Sequence, residues 1–372
     1  MSNLNVILTC AGGYGALTLL EDFQRSKIGK NVNFIGTHSD KILLGRSPLK
    51  SNYIVPSALK NPKEYLQATK KIIEVENIDL VIPKSDAEVK ALYPVINDLN
   101  CQTFLPDCKE IEATQDKLDF YKILENHSVP APKTLQVDSI DTLQYLFDQI
   151  EEVDGRYWLR IKTAGTAGAY GATWVTNKEE AIVWIESFCK KEGTSIEDFT
   201  LSEYLPGRLF ECMVLYNEGN LKLAKVYENL MFASGGDPQN RGIGSTPNLA
   251  KTINDEVSRL AVENAVHAID AASKECETIP NGVYHMSAKQ NSKGEPCITE
   301  VNIGRTPSTV SIFNRTGKYN VAEYFLNYAL KQEITDPDPI YDIPTETFFA
   351  IRSLDHPLCI RSEEELNLAI EI

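Results

Sequence analysis

From Asn5 to about Pro106, short apolar runs alternate with amphipathic stretches: NVILTC, YGALTLLEDFQRS, NVNFIGT, KEYLQATKKIIEVENI and DLVIPK. This strand-helix-strand rhythm predicts a parallel α/β sheet, a small Rossmann-like unit. NVILTC, VNFIGT and DLVIPK lack polar alternation, as strands covered on both faces do. A helix is predicted to open near Thr114, where Thr-Gln-Asp-Lys leads into KLDFYKILENH, and the prolines of SVPAPKT end it. The domain boundary is placed just before that helix, giving units 1–112 and 113–372.

Beyond it the pattern predicts an amphipathic helix at DTLQYLFDQIEE, a strand at RYWLRIK, the Gly/Ala-rich loop TAGTAGAYGA, a strand at ATWVT and a helix at KEEAIVWIESFCKKEG. TLSEYLPG supplies a strand and turn, and FECMVLYN and LKLAKVYENL flank the hairpin signal Glu218-Gly219. A polar Gly-rich loop, ASGGDPQNRGIGS, a long helix from Asp255 to about Lys274, a hairpin tipped by SKGEP, and a last helix and strand complete the chain. The second unit is thus an α+β domain, and no internal repeat interrupts it.

Composition narrows the function classes. A length of 372 residues is a prior of two to three domains with cores large enough to need no staples. Asp and Glu outnumber Lys and Arg by 52 to 37, a balance that repels nucleic-acid phosphates. The eight cysteines include no CxxC pair and no zinc-ligand spacing, which predicts reduced thiols in a cytosolic protein. The first residues do not resemble a secretory signal, and no run approaches the roughly 18 apolar residues of a membrane span. A soluble, cytoplasmic protein is expected.

Three segments carry chemistry. CAGGYGALTLL puts glycines between the first strand and a helix, either a tight structural turn or a phosphate-binding one. With Asp40 near the end of the second strand, a nicotinamide cofactor is a further option. In WLRIKTAGTAGAYGATWV, Arg160 and Lys162 share one strand face ahead of Gly165, Gly168 and Gly171, a combination suited to polyphosphate. In YHMSAKQNSKGEPCITEVNIGR, alternation sets Glu300 and Asn302 side by side on one strand face, where a carboxylate and an amide oxygen can hold Mg²⁺.

In this order the segments resemble the ATP-grasp superfamily, and most closely single-unit relatives of the carbamoyl phosphate synthase large chain. The resemblance covers nearly the whole chain and implies a Rossmann-like pre-ATP-grasp domain followed by an ATP-grasp domain of two α+β subdomains, with a mobile lid at about 133–200. ATQDKLDFYKILENHSVPAPKT is similar to the family's Asp-Lys helix, making Lys117 a phosphate contact. Lys162 or Arg160 would be the basic residue of the lid strand. LSEYLPG is similar to the adenine hinge, so Ser202, Glu203, Tyr204 and Leu205 would line the base pocket. ITEVNIGRTPST resembles the metal strand, assigning Glu300 and Asn302 to Mg²⁺ (or Mn²⁺) and Arg305 to phosphate or acyl-phosphate charge. Two positions depart from the pattern. Ser287 stands where the family has a further acidic or glutamine metal ligand, and Leu209 where it has the ribose-binding glutamate, a role Glu211 could take over.

The implied activity is a carboxylate-amine ligase. ATP activates a carboxylate as an acyl phosphate, an amine or ammonia attacks it, and Arg305 and Lys162 are the catalytic cations. The family makes a homodimer a reasonable expectation. Substrate choice is expected in the N-terminal unit and in the loop from Ser234 to Thr246, where Asn240 and Arg241 could meet a carboxylate. The alternative is a degenerate relative that binds nucleotide as a sensor or scaffold without turnover.

Overall fold

A computed structural model of the chain describes residues 4–162, 171–233, 246–305, 311–352 and 359–364. The chain opens with β1 (Leu4–Leu8), α1 (Tyr14–Arg25), β2 (Val32–His38), α2 (Lys41–Leu44), β3 (Ser51–Ile54), α3 (Pro62–Glu76), β4 (Leu80–Ile82) and α4 (Asp86–Leu92). The strands form an all-parallel sheet in the order β3-β2-β1-β4. Val6, Leu8, Leu80 and Ile82 pack with Leu19, Leu20 and Phe23 of α1 on one face, and Ile7, Ile35 and Val81 with Tyr65, Ile72 and Ile73 of α3 on the other. Two covered faces are the reason these strands show no polar alternation.

The turn between β1 and α1 is filled by the chain itself. Gly12 has φ +85°, and a Cβ there would lie 1.9 Å from the Leu43 carbonyl oxygen. Asp40, the residue a nicotinamide ribose would require, instead caps α2: its Oδ1 accepts from the N–H groups of Ile42 and Leu43 at 2.7 and 3.2 Å.

Next come α5 (Cys108–Gln115) and α6 (Lys117–Asn126). The helix expected from Thr114 opens instead at Lys117. Asp116 is its cap, accepting from Leu118 N–H at 2.9 Å and Asp119 N–H at 3.2 Å, while Thr114 belongs to the preceding helix.

A second sheet follows, built from β5 (Thr134–Gln136), α7 (Leu143–Gln149), β6 (Tyr157–Ile161), β7 (Thr173–Val175), α8 (Lys178–Glu192) and β8 (Phe199–Glu203). It is antiparallel in the order β5-β8-β6-β7. Its core is its own: Phe147, Leu159, Ile185, Phe199 and Leu201 form an apolar cluster separate from the rest of the molecule.

The remaining elements are β9 (Leu209–Asn217), β10 (Asn220–Ala233), β11 (Thr246–Thr252), α9 (Glu256–Cys276), β12 (Gly282–Gln290), β13 (Pro296–Ile303), α10 (Ile312–Arg315), α11 (Val321–Ala329), β14 (Phe348–Ile351) and β15 (Cys359–Ser362). They build an antiparallel seven-stranded sheet, β13-β12-β9-β10-β11-β14-β15. Glu218 and Gly219 both have positive φ, the two-residue hairpin geometry expected of that dipeptide. Phe210, Cys212, Val214, Tyr284, Met286 and Ala288 pack with Ala261, Ala265, Ala268 and Ile269 of α9, whose small side chains bring the helix close to the sheet. Strand alternation turns Glu211 and Ser287 to the opposite face, and the register shift that pairs Ser287 with Glu300 but Ala288 with Ile298, skipping Thr299, brings Glu300 to that face as well.

Buried polar ties anchor this sheet to its surroundings. Asp22 of α1 accepts from Arg315 Nε at 2.8 Å, Asn314 Nδ2 at 2.7 Å and the Ser311 hydroxyl. Lys225 Nζ, within β10, meets Asp342 Oδ2 at 2.8 Å and donates to the carbonyls of Thr316 and Tyr319 at 2.7 and 2.8 Å. Among the described residues no helix is long and apolar enough to cross a membrane.

Candidate functional site

Register across three strands builds the floor of the site. Glu211 on β9 pairs with Ser287 on β12, which pairs with Glu300 on β13, so the three form one row, and His285 pairs with Asn302 in the next. The row lies on the face turned away from α9, toward the second sheet and the end of the parallel sheet.

Cations from separate elements converge on Glu300. Arg160 Nη2 of β6 lies 3.1 Å from its Oε2. Lys117 is brought in by the start of α6, where its backbone N–H donates to the Lys162 carbonyl at 2.9 Å. Arg305, just past β13, is held by Asp86 at the start of α4 (Nε to Oδ1, 2.7 Å) and donates through Nη2 to Asn302 Oδ1. Burial pushes the Glu300 carboxyl up, but Lys117, Arg160 and Arg305 outweigh it and hold the group down to about 2.

Lys117 titrates low, down to about 8, because burial and the neighbouring Arg160 disfavour its charge while Glu300, Asp86 and Asp116 support it. Lys84, following β4, falls further, to about 7, through burial and the nearby Arg305. The arrangement carries more positive than negative charge in a partly desolvated recess, the electrostatics of an anion site.

Arg156, Arg160 and Lys162 alternate with Tyr157, Leu159 and Ile161 and so share one face of β6. Both candidates for the lid cation therefore point the same way; of the two, Arg160 makes the contact with Glu300. Gly165 and Gly168 lie outside the described residues, as do Asn240 and Arg241.

The segment after β8 is braced from two sides. Glu203 N–H donates to the Lys133 carbonyl at 3.0 Å, and Gly207 N–H to the Gln290 carbonyl at 3.1 Å. A Cβ on Gly207 would come within 2.5 Å of Gln290 Cβ, so a glycine is required for this approach. The Ser202 hydroxyl is engaged with Thr134 Oγ1 at 2.8 Å, and Leu205 is buried. Arg156 Nη1 donates to the Tyr204 hydroxyl at 3.2 Å and its guanidinium lies over that ring, as does the Lys289 ammonium. Sequence reasoning missed Arg156 and Lys84 and gave Lys289, two residues beyond Ser287, no role; Arg156 was open to it, since it lies four residues before Arg160 at the same alternation.

Glu211 is drawn into a different set of contacts. Its Oε1 accepts from Asn229 Nδ2 at 2.8 Å and its Oε2 from the Ser287 hydroxyl at 2.9 Å. His285 Nε2 stands 3.0 Å from Oε2 but off the line of a hydrogen bond.

As a metal site the donor set is small. Among the described residues no three His, Cys, Asp or Glu side chains cluster as a cage. One carboxylate, Glu300, and one amide oxygen, Asn302, fit Mg²⁺ where the remaining ligands are waters and phosphate oxygens, the usual way this ion is bound.

No protein-family model matches the sequence. No curated protein matches it either. Solved structures do. Carboxyaminoimidazole ribonucleotide synthase from Aspergillus clavatus, solved with ATP, is similar at 14% identity and TM-score 0.69, over 94% of this chain and 82% of that one. Biotin carboxylase from Campylobacter jejuni is similar at 14% identity and TM-score 0.71, over 94% and 75%. L-amino acid ligase from Bacillus licheniformis is similar at 14% identity and TM-score 0.68, over 94% and 80%. The parallel N-terminal sheet followed by two antiparallel sheets is thus the ATP-grasp fold, matched over 94% of the chain.

Proposed function

We propose that this chain is an ATP-dependent ligase that activates a carboxylate as an acyl phosphate and joins it to an amine or ammonia, in the manner of carbamoyl phosphate synthase. The observation that carries the reading is the Glu300 carboxylate ringed by Lys117, Arg160 and Arg305 beside Asn302. Solved relatives in the fold include enzymes whose structures contain ATP, or MgADP and bicarbonate.

In this reading residues 1–112 are the pre-ATP-grasp domain and 113–372 the ATP-grasp domain, with the sheet of β5 to β8 as the lid. Its separate apolar core lets it move as a body. The backbone from Glu203 to Leu205 takes the adenine edge, with Tyr204 at the base. Lys117, Arg160 and Lys162 neutralise the phosphates, and Arg305 steadies the transferring group. Glu300 and Asn302 would hold a magnesium ion, which would supply charge neutralisation to the phosphates.

A substrate carboxylate oxygen attacks the γ-phosphorus, and the bond from phosphorus to ADP oxygen breaks with its electron pair leaving on ADP. The amine nitrogen then attacks the acyl carbon, losing a proton, and the carbon-oxygen bond to phosphate breaks. Lid closure excludes the water that would hydrolyse the acyl phosphate.

One observation favours the sensor alternative: Ser287 supplies a hydroxyl already given to Glu211 where a metal ligand is otherwise expected. ADP release from Mg-ATP across amino acids, bicarbonate and small carboxylates, with and without ammonia, separates the two. Stimulation by one carboxylate, reduced at least about a hundredfold in Glu300→Gln, is the expected result. Nucleotide binding without stimulated turnover would make the chain a sensor.

A further inference from the structure

A cavity of about 250 Å³ opens beside the first turns of α9, lined by Asn254, Arg259, Val262, Glu263, Tyr341 and Ile343. That volume falls short of the ~300–1,000 Å³ of pockets for drug-sized ligands and suits a small metabolite. Val262 and Ile343 belong to the apolar cluster between α9 and the seven-stranded sheet, so the cavity lies behind that sheet, away from the row of Glu211, Ser287 and Glu300.

Its two ends carry opposite charge. Arg259 and Glu263 stand one turn apart on α9, both exposed, and among the described residues neither has an ion-pair partner. With the cation N-terminal to the anion, theirs is the weaker order for pairing along one helix. The guanidinium is fixed by another route: Asn254 Nδ2 donates to the Ile343 carbonyl at 3.2 Å, and Asn254 Oδ1 accepts from Arg259 Nε at 2.8 Å. With Nε tied down, the two Nη nitrogens form an open fork of the kind that binds a carboxylate. At the other end the Tyr341 hydroxyl is pushed up by burial and by the nearby carboxylates of Glu263 and Asp270, so the anions gather there. Between the ends lie Val262, fully buried, Ile343 and the Tyr341 ring. A dianion would be repelled at Glu263 and a dication at Arg259, and an apolar molecule would use neither; a zwitterion meets both.

We propose that this cavity binds a free amino acid with an apolar side chain: its carboxylate on the Arg259 fork, its ammonium at Glu263 beside the Tyr341 hydroxyl, and its side chain over Val262 and Ile343. The site goes beyond the ligase reading and does not rest on it. Set behind the strands that carry Glu211, Ser287 and Glu300, it is a second binding site and not a reacting centre.

The test is calorimetric titration of the full-length protein with L-leucine, with leucinamide and isocaproate as analogues lacking the carboxylate and the ammonium respectively. L-leucine should bind saturably and each analogue at least about tenfold more weakly, since each loses one charge-assisted contact. Arg259→Gln and Glu263→Gln, both at exposed positions, should weaken L-leucine by a similar factor and leave the melting temperature unchanged. Glu300→Gln, on the front of the sheet, should bind it as the native chain does. Absence of L-leucine binding, an analogue that binds as tightly, or affinity that survives both substitutions at the cavity would overturn the proposal. So would affinity lost in Glu300→Gln and kept in Arg259→Gln, which would place the amino acid at the reacting centre as a substrate. Failure of the ligase reading shows separately, as no carboxylate-stimulated ADP release while L-leucine binding stays intact.

Discussion

Arg160 and Glu300 are 140 residues apart in sequence, yet their side chains meet at 3.1 Å and join the four-stranded antiparallel sheet to the seven-stranded one. The Glu300 side chain keeps 37% of its surface exposed. A pair this open contributes about 0–1 kcal/mol and can be exchanged for other partners at little cost. Arg160→Gln should therefore move the melting temperature little, while raising KM for Mg-ATP about tenfold as one phosphate cation is lost. Steady-state ADP release and a thermal melt measure the two effects together. A large loss of stability with unchanged KM would make the pair structural.

Lys117 is the residue most open to a pH test. Its folded-state value, lowered to about 8, lies below the ordinary lysine value. The unfolded chain therefore holds more protons between these two values, and stability should rise as pH rises through about 8 toward 10.5. Phosphate affinity runs the other way, since the neutral amine attracts no anion. KM for Mg-ATP should climb above about pH 8 in the native protein and stay flatter in Lys117→Arg, a comparison that steady-state kinetics across pH 7 to 9.5 decides.

Glu300 has the opposite sign. Its value is held down to about 2, so its contribution to stability is complete above the ordinary carboxylate value of 4.5 and is lost as pH falls through about 2. Acid titration followed by circular dichroism should show Glu300→Gln less sensitive than the native chain in that window.

Asp86 holds Arg305 at 2.7 Å from across the molecule, 219 residues away in sequence. Asp86→Asn should keep the fold but let the guanidinium drift, lowering kcat about tenfold with a smaller change in KM for ATP. Proportional loss in both constants would place Asp86 in nucleotide binding instead.

Lys225 is 2% exposed and its partner Asp342 7%. Removing one member of a buried pair strands the other, so Lys225→Met should cost about 3–5 kcal/mol in urea denaturation. The double variant with Asp342→Leu should recover part of that loss.

Much of the architecture was legible along the chain because it depends on local periodicity. Unbroken apolar runs marked the parallel strands, Glu218-Gly219 marked a hairpin, and alternation in ITEVNIG put Glu300 and Asn302 on one face. Alternation also set Arg160 and Lys162 on a common face of β6, but it could not say which of them meets Glu300. The helix starts at Lys117 and not at Thr114 because Asp116 caps it, while Thr114 lies in the last turn of the preceding helix and donates its hydroxyl to the Glu110 carbonyl. Period two assigns a side chain to a face and is silent about its neighbour across the sheet or across the cleft. The meeting of Arg305 with Asp86, the burial that lowers Lys84 and Lys117, and the unsatisfied oxygen of Asn229 between β9 and β11 all arise from segments far apart in sequence. Desolvation and charge depend on distances in space, so the electrostatics of the site were decided only when the sheets came together.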